Sequence, residues 1–208
     1  MQRRTRSVAR TTAAAAVGYV LGTFPSADLA ARAAHHTADL RSEGSGNPGA
    51  ANVANVIGRQ WGASVMMVDV AKGVAAGRIG AGLAAGAGAN AAATAAVVGH
   101  CYPVWNGFHG GKGVATSVGQ VLATFPAYFP IDFMVGFAGV SNPRFRHRTF
   151  VANTIASIAW VGAATLWWRR RLPNLWGPEP TIALPLGALT SSLVIYGRFR
   201  SSLGAEQS

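Results

Sequence analysis

Two short segments hold most of the residues in this sequence that can do chemistry. One reads Gly99-His100-Cys101-Tyr102-Pro103-Val104-Trp105-Asn106-Gly107-Phe108-His109-Gly110-Gly111-Lys112-Gly113 and leads into an apolar stretch that opens with Val114. Glycines let the backbone come close to a ligand, and a helix starting after Gly113 leaves its first amides without internal partners. With Lys112 beside them, Gly110, Gly111 and Gly113 form the pattern of an anion site. The other segment reads Leu40-Arg41-Ser42-Glu43-Gly44-Ser45-Gly46-Asn47-Pro48-Gly49-Ala50-Ala51-Asn52. Arg41 offers a planar fork for phosphate, while Ser42, Ser45, Asn47 and Asn52 offer hydrogen bonds. On composition alone this segment is equally a tight polar turn between two helices.

The glycines and lysine of the later segment invite comparison with a nucleotide P-loop. The comparison fails twice. Asn106 stands where the first glycine is required, and Gly113 stands where a Ser or Thr would hold magnesium. No metal site and no cofactor is expected.

The elements that must position these segments are apolar. Half of the 208 residues are hydrophobic and 12% are charged, about half the share of a soluble domain. Eighteen Lys and Arg against seven Asp and Glu give a net charge of +11. Such a charge suits nucleic acid, or anionic lipid and phosphorylated substrates. The basic residues cluster at the ends of apolar runs, which favours the membrane and excludes nucleic acid as a partner. Cys101 is the single cysteine, so no intrachain disulfide forms.

The runs are Thr11 to Ala34, Val53 to Val70, the Ala- and Gly-rich Val74 to Val98, Val114 to Val140, Thr149 to Trp168 and Thr181 to Tyr196. Several are long enough to cross a hydrocarbon core of about 30 Å. The basic start resembles a signal n-region, but without a convincing cleavage site the first run is expected to remain as a helix. Small residues permit close helix approach in a bilayer. Pro126, Pro130 and Asp132 are expected to break the fourth run. Asn142 to Arg148 is expected to form a basic loop. Lipid leaves backbone groups no outside partner, so the expected fold is all-α: a polytopic bundle of five to seven transmembrane helices with Gly-rich loops. Residues 1–10 form a basic N-terminal tail, 11–197 a single membrane domain, and 198–208 a polar C-terminal tail.

Arg-Ser-x-Gly-Ser-Gly-Asn-x-Gly-Ala-x-Asn from Arg41, then Gly-His-x-x-Pro-Val from Gly99 and Gly-Gly-Lys-Gly-Val-Ala-Thr from Gly110, resemble the bacterial acyl-phosphate:glycerol-3-phosphate acyltransferase (PlsY) family. Asp69-Val70-Ala71-Lys72-Gly73 resembles a further family segment between them. The resemblance is strong over Gly18 to Ala123 and weak beyond. It implies seven membrane helices with the conserved loops at the cytoplasmic face, in a bacterial plasma membrane. It implies transfer of an acyl group from acyl phosphate to the 1-hydroxyl of glycerol 3-phosphate, giving lysophosphatidic acid and phosphate.

Carried over residue by residue, the catalytic positions are Lys112, Arg41 and His100. The phosphate-binding positions are Ser45, Gly46, Asn47, Gly49, Asn52, Gly110, Gly111 and Gly113. Because acyl phosphate is already activated, a substrate phosphate with a second pKa of about 6 can take the hydroxyl proton. His100 is the rival base, and its other reading is a packing histidine at a helix end. A Tyr-Val-Ser segment of the family falls on Phe150-Val151-Ala152 here, and its C-terminal His-x-x-Asn pair has no counterpart, with Arg198, Arg200 and Asn153 as substitutes to consider. A second reading is therefore a relative that binds phosphorylated lipid precursors without turnover. A transporter or structural membrane protein is a third. Arg3, Arg4, Arg6 and Arg10 favour an inside N-terminus, opposite to the family's orientation.

Overall fold

The computed structural model describes residues 2–141 and 148–205. The expected basic loop at 142–148 falls almost wholly outside them. Every regular element among the described residues is helical: α1 (Gln2–Gly22), α2 (Ser26–Ala33), α3 (Ala50–Val56), α4 (Arg59–Cys101), α5 (Val114–Thr124), α6 (Phe129–Ser141), α7 (Arg148–Arg170) and α8 (Ala183–Ala205), with short 3-10 turns at Val104–Asn106 and Pro126–Tyr128. The architecture is the all-α membrane bundle expected from the apolar runs.

The longest helix is a hairpin. Ala84 (φ −147, ψ 40) and Ala85 (φ 47, ψ −141) leave helical geometry and turn the chain back. Gly80 then meets the backbone of Gly88 so closely that a Cβ on either would overlap the other's carbonyl. The same device seats α1, whose Gly18 and Gly22 lie on the backbone of Ala92 and Ala96. Small residues give close backbone approach where lipid supplies no hydrophobic drive between helices. The Ala and Gly run thus supplies two legs, where the sequence suggested one.

Arg59–Asn106 and Arg148–Arg170 are each long and apolar enough to cross a membrane, and Val114–Thr124 with Pro126–Val135, bent by 115°, makes a third candidate span. The bend sits where Pro126 was expected to break the run. α1 falls short because Arg4, Arg6 and Arg10 occupy its first half, and α8 because Arg198 and Arg200 lie in its second half. The chain ends also differ from expectation. α1 is helical from Gln2, and α8 continues through Arg198 to Ala205 in place of a polar tail. Phe199 explains the latter, since it is buried against Val97, Cys101 and Ile195.

A polar contact locks three helices at mid-bundle. Gln120 of α5 donates to Thr94 Oγ1 of α4 at 3.0 Å and accepts from Ser191 Oγ of α8 at 2.7 Å. The largest apolar cluster lies beside it, with Val121, Phe125, Tyr128, Trp160 and Leu184 packed together.

Candidate functional site

The later loop is built on the end of α4. Pro103 has no amide to continue the helix, and Gly107 (φ 57) and Phe108 (φ 65) reverse the chain. The returning strand of backbone pairs with the last turn of α4: the Gly110 amide donates to the Cys101 carbonyl and the Gly111 amide to the His100 carbonyl, both at 3.1 Å. At Gly111 a Cβ would collide with His100 Nε2. Gly113 takes φ 86 at the start of α5, and a Cβ there would sit 2.7 Å from Cys101 Sγ. Only glycine combines that dihedral with that space.

The earlier loop is shaped by Asn52, a residue 2% exposed. Its Oδ1 accepts from the Ser45 amide at 2.8 Å, and its Nδ2 donates to the Leu40 and Glu43 carbonyls at 3.1 and 3.0 Å. Asn52 therefore fixes the loop from within. Ser45 and Gly46 are exposed on the loop, Asn47 is partly buried, and Gly49 is the buried residue capping α3.

Arg41 joins the two loops. Its guanidinium forks onto Asp28 of α2 (3.0 and 3.3 Å), reaches Asp39 at 3.0 Å, and donates through Nε to the His109 carbonyl at 3.2 Å. Asp28 also accepts from Asn106 Nδ2 at 3.0 Å. The hydrogen bonds Arg41 donates to Asp28, and the Asp28 charge, raise the Arg41 pKa further above its ordinary value. The Arg41 amide holds the Asp39 carboxyl below the ordinary aspartate value. The sequence marked Arg41 but not Asp28. The signal was an ionisable residue interrupting an apolar run.

Beneath Arg41 lies a cleft of about 20 Å³, room for about one water. Arg41, Pro48, His100, Gly110 and Gly111 line it from the loops, with Ser26, Asp28 and Lys72 from the helices. Under its floor is a buried ionic cluster. Asp69, 1% exposed, accepts from Ser26 Oγ at 2.6 Å, pairs with Lys72 Nζ at 2.9 Å and lies 3.6 Å from His100 Nδ1. Lys72 also donates to the Phe24 carbonyl at 3.2 Å. The Asp69-Lys72 segment thus ties the end of α1, α2 and the later loop to one point. A buried charge left without its partner is costly, so these groups hold together.

Lys112 belongs to the same loop cluster but does not line the cleft. Its ammonium lies 4.6 Å from the centre of the Phe199 ring of α8, a cation–π contact. The neighbouring Arg198 donates to the Gly110 carbonyl at 2.6 Å and the Gly111 carbonyl at 3.3 Å, with its guanidinium 5.5 Å from the Tyr102 ring centre. The Gly110 and Gly111 amides are bonded to carbonyls of α4, and their own carbonyls to Arg198. Gly113, the N-cap of α5, is itself buried, and Val114 after it is exposed. Among the described residues, no group of three or more His, Cys, Asp or Glu side chains is placed to hold a metal.

A family model described as glycerol-3-phosphate acyltransferase matches residues 12–204. Curated relatives described as glycerol-3-phosphate acyltransferases include one from Maricaulis maris, 36% identical over 92% of this chain and 81% of its own. Another, from Synechococcus elongatus, is 38% identical over 92% of this chain and 88% of its own. With a Rhizobium etli relative the identity is 43%, but this chain spans only about half of that relative's length, 55%. The fold is similar to a crystal structure of PlsY (YgiH), an integral membrane glycerol 3-phosphate acyltransferase, in its glycerol 3-phosphate form. The TM-score is 0.76 at 27% identity, covering 93% of this chain and 90% of that one. The same protein in its lysophosphatidic acid form matches with a TM-score of 0.73. With its two glycine loops joined at one end of a helical membrane bundle, and with these matches along nearly its whole length, the chain belongs to the glycerol-3-phosphate acyltransferase family.

Proposed function

We propose that this protein is a membrane acyltransferase that moves an acyl group from acyl phosphate to the 1-hydroxyl of glycerol 3-phosphate, acting in a bacterial plasma membrane. Residues 11–197 would form its single acyltransferase-like domain. The observation that carries the reading is Arg41 bridging to the His109 carbonyl, three residues from Lys112. That bridge ties the earlier loop to the later one, which carries Lys112 and leads into α5. Both substrates are phosphorylated, and a basic, acid-poor chain suits them.

In the reaction, the glycerol 3-phosphate hydroxyl oxygen attacks the acyl carbonyl carbon and the carbon–oxygen bond to phosphate breaks. Inorganic phosphate leaves, lysophosphatidic acid forms, and the hydroxyl proton passes to a phosphate oxygen or to His100. Lys112 and the amides at the start of α5 face the charge that develops on the carbonyl and phosphate oxygens, where positioned donors act most strongly. Arg41 reaches a phosphate by exchanging Asp28 or Asp39 for it, since a guanidinium fork fits either oxyanion.

The second reading is a relative that binds phosphorylated lipid precursors without turnover. It is favoured by Ala152 in place of the family serine and by Arg41 already holding two carboxylates. One assay separates the two. Purified protein receives acyl phosphate and labelled glycerol 3-phosphate, with Lys112→Ala as control. Lysophosphatidic acid from the unaltered protein, and its loss in the variant, supports the enzyme. Absence of product from both, with retained binding of a phosphate analogue, supports the second reading.

A further inference from the structure

The two loops account for phosphate but leave the acyl chain without a place. A groove of about 300 Å³ runs between α7 and α8, and its walls are almost wholly apolar. The two helices run antiparallel, so that Phe150 at the start of α7 stacks near Tyr196 and Phe199 late in α8, with ring centres 5.5 and 6.1 Å apart. From that end the lining positions of α7 continue through Ser157 and Ile158 to Val161, and those of α8 run back through Ser192 to Leu189. At 1.5 Å per residue, Phe150 to Val161 is about 16 Å of slot.

The two ends differ. Phe199 closes one of them, and its ring carries the Lys112 ammonium, with Arg198 as the next cation along α8. The other end, at Val161 and Leu189, carries no charge. A narrow apolar slot with cations at one mouth has the complement of a single-chain lipid with an anionic head. Ile158 and Leu193 line the groove and are 70% and 62% exposed, so the groove opens on the outside of the bundle, where a chain enters from lipid without crossing water. One polar group interrupts the apolar wall. Ser192 is 93% buried (7% exposed), lines the groove, and its Oγ has no partner among the described residues.

We propose that the α7–α8 groove holds the acyl chain of the acyl phosphate donor, with the phosphoryl head at Lys112, and that Val161 and Leu189 set the longest chain accepted. The inference rests on the acyltransferase reading for the identity of the ligand, but the groove can be tested without turnover.

An alkyl phosphate bearing a diazirine at the chain end is photolysed with the protein in lipid nanodiscs, and the labelled peptides are mapped. Label should fall around Val161 and Leu189, and excess acyl phosphate should compete it away. Label on other helices, or equal labelling by the same chain with a neutral hydroxyl head, overturns the proposal. These outcomes stand whether or not the protein turns over, so they separate failure of the groove from failure of the enzymatic reading. Where turnover is present, Val161→Trp should shift the preference among saturated acyl phosphates toward shorter chains, each excluded methylene costing about fourfold in kcat/KM. Ile155→Trp, on the lipid side of α7 and outside the groove, should leave the profile as it was. An unshifted profile in a folded Val161→Trp protein overturns the role of that residue as the chain stop.

Discussion

Around the two glycine loops, helices are joined by charge and hydrogen bonds. Asp28 links Arg41 and Asn106, and Asp69 links Ser26 and Lys72. Between α7 and α8 the joints are aromatic and aliphatic, and the space left over is an apolar slot. The first region has little free volume and a dense polar network. The second has volume and few polar groups. A site that handles a phosphoryl head and a hydrocarbon tail needs both kinds of surroundings, and α8 joins them by putting Arg198 on the glycine loop and Phe199 under Lys112.

That comparison breaks most readily at Lys112. Lys112→Ala should lower lysophosphatidic acid formation about 10²-fold or more, because it removes a positioned cation from the developing charge. An effect below threefold would take Lys112 out of the reaction and leave its place over Phe199 as packing. Gly113→Ala should act on stability, costing about 1–3 kcal/mol through a strained dihedral, with further crowding against Cys101. Thermal unfolding in detergent checks it, and an unchanged Tm would mean the loop start relaxes freely. Asp28→Ala should lower kcat/KM about tenfold, which is about 1.4 kcal/mol, since Arg41 and Asn106 lose a shared acceptor. If Asp28 instead restrains Arg41 from binding phosphate, the change would run the other way, and steady-state kinetics distinguish the signs.

Smaller effects sharpen the contrast. Ser192→Ala should lower the KM for a saturated acyl phosphate about fivefold, by removing a hydroxyl that an occupant leaves without a partner. A raised KM would mean that the hydroxyl bonds the ligand. The smallest effect concerns pH. The Asp39 carboxyl is held below its ordinary value, first by the Arg41 amide. Its contribution to the earlier loop is therefore complete above that ordinary value and is lost as pH falls through the lowered one. Amide hydrogen exchange at Arg41 and Ser42 should quicken only in that acid window.

Much of the first region was legible because its chemistry is local in sequence. Glycine spacing, Arg41 and Lys112 mark the loops, and the Ala and Gly run marks close helix packing. Long-range pairing was not legible. Nothing near Asp28 names Arg41 or Asn106 as partner, and nothing near Asn52 shows that its side chain turns back to Leu40 and Glu43. Composition also hid the break at Ala84-Ala85, because alanine is the residue least expected to end a helix. The second region was legible only as apolar length. Its groove arises from how Phe150, Tyr196 and Phe199 meet, which periodicity does not encode. The helical continuation of α8 past Gly197 was hidden for the same reason, since a polar stretch held one buried phenylalanine, Phe199.

The hairpin in α4 has a consequence for assembly. Its legs meet across a short turn, Gly80 against Gly88, so closing it costs little chain entropy. α1 is different, because Tyr19 donates to the Tyr102 carbonyl across 83 residues of sequence. During synthesis, α1 emerges before the residues near Ala92 and Ala96, so its glycine face waits for that partner. The local contacts of the hairpin favour its closing before α1 docks on it.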